Sequence, residues 1–114
     1  MHKVVCMFDW YSVKFLYPFA FEKFTEVMFP NIGIESLSTL EFFDIRRLYS
    51  FFDKEGIYLI IEMYNKDNWD YCLSLSNGFA FGPSKQNKTT RFEVEYDGFF
   101  ECFRFLEKKL VDAV

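Results

Sequence analysis

Hydrophobic and polar positions change their period along the chain. From Phe99 onward apolar residues recur at Phe99, Phe103, Leu106 and Leu110, broadened by Cys102 and Val111. Glu101, Arg104, Glu107 and Lys108 fall outside that stripe, and the spacing predicts an amphipathic helix over 98–111. Glu101 near its start and Lys108-Lys109 near its end suit the helix dipole. Just upstream the period falls to two. Phe92, Val94 and Tyr96 alternate with Glu93, Glu95 and Asp97, which predicts a strand over 91–97 with an acidic outer face.

The N-terminal part carries a second helical signal. Pro18 fits a first helical turn, and Phe21, Phe24, Val27 and Met28 follow at helical spacing with Glu22, Lys23 and Glu26 opposite, predicting a helix near 18–29 that ends at Pro30. A competing stripe through Trp10, Val13, Tyr17, Ala20, Phe24 and Val27 describes one longer helix kinked at Pro18. Val4 to Phe8 reads as a short strand.

The middle reads as hairpins. Leu48 to Phe52, a turn over Asp53-Lys54-Glu55-Gly56, and Ile57 to Met63 suggest strand, turn, strand. The rival is a helix from Thr39 to Phe52, capped by Ser38 with Glu41. Asn65-Lys66-Asp67-Asn68 is a second turn. Tyr71, Leu73 and Leu75 then alternate with Cys72, Ser74 and Ser76, and Asn77-Gly78 is the strongest short hairpin signal in the chain. The expected fold is therefore α+β: one domain over 1–114, with an antiparallel sheet of four or more strands and helices packed on it at both ends.

Composition sharpens the picture in one respect. There are 17 Phe, 7 Tyr and 2 Trp in 114 residues, against 9 Leu and 3 Ala. A packed ring core accounts for most of them, and the surplus should reach the surface, where aromatic side chains anchor partners. The net charge of −4 argues against nucleic acid as a partner and favours a basic protein. Three cysteines without a close pair point to reduced thiols and a cytoplasmic setting. The N-terminus has no small-residue cleavage site, and the longest apolar run, Phe15 to Phe21, contains a proline; neither secretion nor a membrane span is expected.

Candidate chemistry is sparse. His2 is the single histidine, too few ligands exist for a zinc centre, and no GxGxxG, GxxxxGK[ST] or HExxH pattern occurs. No cofactor or metal is expected, and a catalytic role is left only to unpaired carboxylates and tyrosines. Two clusters combine acids with aromatic rings. One is Glu93, Glu95 and Asp97 beside Tyr96 and Phe99-Phe100; the other is Asp67, Trp69 and Asp70 beside Tyr71. Either suits a basic protein surface.

In its size, acidic pI near 5.0, aromatic richness, free cysteines and lack of a catalytic set, the chain resembles the small immunity proteins that bacteria encode beside contact-dependent growth-inhibition toxins. The resemblance implies a cytoplasmic protein-binding inhibitor that neutralises a toxin, often a nuclease, by covering its active site or substrate groove, as a monomer or weak homodimer. It assigns no individual residue; the two clusters are nominated by charge and alternation. The alternatives are a scaffold subunit of a homo-oligomer and a small carboxylate enzyme.

Overall fold

The computed structural model describes residues 8–30, 40, 43–66, 68–78, 80–81 and 90–113. In chain order they form α1 (Trp10–Leu16), α2 (Pro18–Met28), a 3-10 turn (Ile45–Arg47), α3 (Leu48–Lys54), β1 (Ile57–Asn65), β2 (Asn68–Leu75), β3 (Ala80–Phe81) and α4 (Arg91–Asp112). The fold is α+β, with helices at both ends as expected. The sheet is not the expected one: it has two long antiparallel strands and a two-residue third, in the order β1-β2-β3. Two of the segments expected to be strands are helical.

The first correction is 91–97, which opens the 22-residue helix α4. Three cycles of alternation are outweighed by a longer helical period through Val94, Glu95, Gly98, Phe99, Cys102, Phe103 and Leu106, all buried. Gly98 marks the middle of this helix and not its start. Its missing side chain leaves room for Leu59 of β1, since a Cβ there would sit 2.6 Å from Leu59 Cδ1. The true start is the capping-box sequence Thr90-x-x-Glu93, in which Glu93 N–H donates to Thr90 Oγ1 at 3.2 Å and the Thr90 hydroxyl, in place of its backbone N–H, donates to Glu93 Oε1 at 2.9 Å.

The second correction is 48–52, expected as a strand and found in α3, where Leu48, Phe51 and Phe52 face the core at helical spacing. Gly56 does take a left-handed conformation, φ +77°, but it terminates α3 and does not close a hairpin. The rival helix over 39–52 was right for its last turn. Its proposed cap at Ser38 and Glu41 and the strand expected over Val4 to Phe8 (up to residue 7) lie outside the described residues.

The remaining expectations stand closer to the structure. Trp10, Val13, Ala20 and Phe24 are buried along one stripe, as the kinked-helix alternative required, although the helix is interrupted at Tyr17, whose φ −129° and ψ 62° are not helical. Val27, the last member of that stripe, is exposed. β1 and β2 pair from Ile57↔Leu75 to Asn65↔Asn68, and β2 turns through Gly78, φ +91°, into β3.

One face of the sheet packs against α3 and α4, α2 packs on α4, and α1 packs against α2. The core between them is built of rings. Trp10 stacks on Phe24 with centroids 4.8 Å apart, and Phe103 stands nearly perpendicular to Phe52 at 4.9 Å. α4 also completes its neighbours. Its Glu107 Oε1 accepts from Ala20 N–H at 2.8 Å, supplying the N-terminal cap that Tyr17 does not give α2. Its Lys109 Nζ donates to the Glu55 carbonyl at 2.9 Å, just past the end of α3.

Candidate binding surfaces

The helical start of α4 scatters the first acidic cluster. Glu93 is engaged with Thr90 in the capping box. Glu95, two positions on, points the opposite way and is fully buried. Its Oε2 accepts from the Tyr49 hydroxyl at 2.7 Å, and its Oε1 meets Arg46 Nη2 at 3.5 Å. Arg46 is half exposed and lies over the Phe92 ring, 5.3 Å from its centroid. Burial, followed by the hydrogen bond to Glu95, pushes the Tyr49 hydroxyl well above the ordinary tyrosine value. This is an internal knot joining α4 to α3, so Glu95 presents no charge to a partner.

Asp97 lies half-buried one helical turn beyond Glu93. The fold brings it near a member of the second cluster. Burial raises the hydroxyl of Tyr71 on β2 well above the ordinary range, and the charges of Glu101, Asp97 and Asp70 add to it. Asp70 is itself buried, its Oδ1 accepting from Tyr71 N–H at 2.7 Å. Trp69 is half-buried against the core, and Asp67 lies outside the described residues. The nominated residues thus form no common surface: Glu95 and Asp70 are buried, Glu93 is tied to Thr90, and Trp69 packs against the core.

Two features escape the sequence argument. The first is a row of exposed apolar side chains on the outside of α1 and the start of α2. Phe15 is 83% exposed, Tyr11 72%, Phe19 52% and Leu16 50%. Tyr11 and Phe15 are one turn apart on one face of α1. Taking about 150–250 Å² for a whole aromatic side chain, the four together leave roughly 400–500 Å² of apolar side chain in water. The signal was present: Trp10 and Val13 define the inner stripe of α1, which leaves Tyr11 and Phe15 outside it.

The second is an open depression of about 560 Å³ between the end of α4 and the β2–β3 turn, floored by Leu75 and Phe105 and rimmed by Asn77, Lys108, Lys109 and Asp112. A smaller one of about 230 Å³ adjoins it through Leu75 and Lys109 and reaches Gly56. Its rim pairs ammonium groups with a carboxylate and contains neither histidine nor cysteine among the described residues.

Cys72 and Cys102 are free thiols; burial raises both above the ordinary value, Cys102 most strongly. Cys6 lies outside the described residues. Among the described residues no group of His, Cys, Asp and Glu is arranged to hold a metal ion, and no helix is long and apolar enough to cross a membrane. Compared with protein-family models, curated proteins and solved structures, the chain shows no significant match.

Proposed function

We propose that the chain is a protein-binding inhibitor of the toxin-neutralising kind and that it engages a basic partner domain through the outer surface of α1 and α2. The observation that carries the reading is the exposure of Tyr11, Phe15, Leu16 and Phe19 together. Leaving three aromatic side chains in water is costly unless a partner covers them, and aromatic side chains dominate the energetics of protein interfaces. Exposed Asp9 at the start of α1 and Glu22 and Glu26 on α2 outnumber Lys14 and Lys23 by one, and with the net charge of −4 they favour a basic partner and speed its approach. An inhibitor needs a preorganised surface and no chemistry of its own. Trp10, Val13, Ala20 and Phe24 anchor both helices in the core and hold that surface rigid.

The test uses a toxin domain encoded beside this chain. The wild-type protein should bind it and protect cells that produce it. The double substitution Tyr11→Ser, Phe15→Ser should keep the far-UV circular dichroism of the wild type and weaken binding by about thirtyfold or more, as loss of an interface hot spot does. Unchanged binding by the double variant removes this surface. A well-folded wild type that neither binds nor protects removes the inhibitor reading.

A further inference from the structure

We propose that β1 is a self-pairing edge, through which two copies of this chain join their sheets about a two-fold axis at Ile60. This surface is separate from the helix face above, and the inference does not rest on it.

β1 lies at the end of the strand order, and among the described residues no strand pairs with its outer edge. The phase of its hydrogen bonds can be read from the neighbouring pair. Ser76 N–H donates to the Gly56 carbonyl at 2.9 Å, and the register then runs unbroken from Ile57↔Leu75 to Met63↔Trp69. Gly56 meets β2 through its carbonyl alone, its N–H donating to the Asp53 carbonyl at 3.1 Å, and Tyr58, Ile60 and Glu62 turn their amides toward β2. Ile57, Leu59, Ile61 and Met63 turn theirs outward. The strand is nine residues long and lacks the features that blunt an edge: it has no proline and no lysine, its one charged residue is Glu62, and the register shift falls at its far end, between Met63 and Asn65. Its outer face is open, with Tyr58 41% and Ile60 44% exposed.

A second copy fits this edge because the side chains match themselves. Antiparallel pairing about Ile60 sets Leu59 against Ile61 and Ile57 against Met63 of the other copy, so the outward amides meet in hydrogen-bonded pairs. On the outer face Ile60 meets its own equivalent in a close, non-hydrogen-bonded pair, and Tyr58 faces Glu62. No like charges oppose one another, and the two sheets become one.

The experiment combines concentration-dependent sedimentation with cysteine crosslinking, in a Cys6→Ser, Cys72→Ser background because Cys72 lies opposite Ile60 within one chain. The protein should dimerise. Ile60→Cys should link to itself under mild oxidation, since paired Cα atoms there are about 4.5 Å apart. Tyr58→Cys alone should not, its two copies being about 14 Å apart. Mixing Tyr58→Cys with Glu62→Cys should restore the link. Ile60→Lys, at an exposed position, should shift the dimer dissociation constant at least tenfold toward monomer without changing circular dichroism, whereas Phe15→Ser should leave it unchanged. A wild type monomeric up to about 1 mM overturns the proposal, a concentration at which only about 4 kcal/mol would hold a dimer. A dimer that survives Ile60→Lys, or that links through Tyr58→Cys but not Ile60→Cys, overturns it equally.

Discussion

Replacing Glu95 separates a surface charge from a buried one. Its carboxylate has no solvent access, and its closest partner is the Tyr49 hydroxyl at 2.7 Å. A hydrogen bond to a charged group contributes about 1.5–3 kcal/mol and a neutral one about 0.5–1.5 kcal/mol. The Arg46 contact is long, and Arg46 is half exposed, so its share is below about 1 kcal/mol. Glu95→Gln keeps an acceptor for Tyr49 and should cost about 1–2 kcal/mol. Glu95→Ala loses the bond and leaves a void, but Tyr49 and Arg46 can both reach water; about 2–4 kcal/mol is expected. Glu95→Lys places an ammonium group in a site closed to water and beside a guanidinium. The penalty of several kcal/mol for the buried ion alone rivals the 5–15 kcal/mol that hold a domain together. Urea unfolding followed by the fluorescence of buried Trp10 reads each variant, with circular dichroism as a second probe. The expected order of stability is wild type, Gln, Ala, with Lys giving no cooperative transition. A Glu95→Lys protein with the wild-type midpoint and slope would refute the buried knot and restore the acidic strand face. For the same reason the triple change of Glu93, Glu95 and Asp97 to Lys cannot serve as a surface test.

Gly98→Ala gains about 1 kcal/mol of helix propensity but must displace Leu59, an overpacking cost of about 1–3 kcal/mol; the net should be destabilising by about 1 kcal/mol and should reverse in a Leu59→Ala background, as a double-mutant cycle in urea would show. Asp9→Ala should cost about 1 kcal/mol, because Asp9 accepts from Ser12 N–H and Oγ at the start of α1. The hydroxyl bond to Ser12 is the first cause of the lowered Asp9 pKa. Its contribution should therefore be complete above the unfolded value of about 3.9 and fade as pH falls through the lower folded value, so the wild-type and variant melting curves should converge in acid. Tyr17, Tyr49 and Tyr71 are raised chiefly by burial; ultraviolet titration should find them ionising above the ordinary tyrosine value, and the stability they lend by staying neutral is complete below about pH 10 and lost as pH rises through their folded values.

Legibility in the sequence followed the length of each periodic signal. Eleven residues of α2 and the hairpin from Ile57 to Leu75 were readable because apolar spacing and turn residues agreed. At 91–97 a short alternation competed with a longer helical period, and a glycine needed for helix–sheet contact looked like a boundary. The Thr90-x-x-Glu93 capping box was the local clue that outweighed both. The acidic clusters misled for a different reason. Charge in a sequence marks exposure only when the period is right, and Glu95 is a carboxylate whose partners, Arg46 and Tyr49, lie 49 and 46 residues away. The exposed row on α1 was hidden among so many aromatics because position on the helix, and not residue type, decides which of them meet water.

That α4 caps both α2 and α3 gives the fold an order in time. A ribosome releases the chain from its N-terminus at about 5–20 residues per second. Through that whole interval Trp10, Phe24, Phe51 and Phe52 have emerged without Phe103, and Ala20 and Glu55 await Glu107 and Lys109. The nascent chain therefore carries an unfinished ring cluster until α4 clears the exit tunnel. A chain stalled or cleaved before α4 lacks the core contributions of Val94, Phe99, Cys102, Phe103 and Leu106. Such fragments should be insoluble or rapidly degraded, while α4 supplied separately should rescue them only if it arrives before they aggregate.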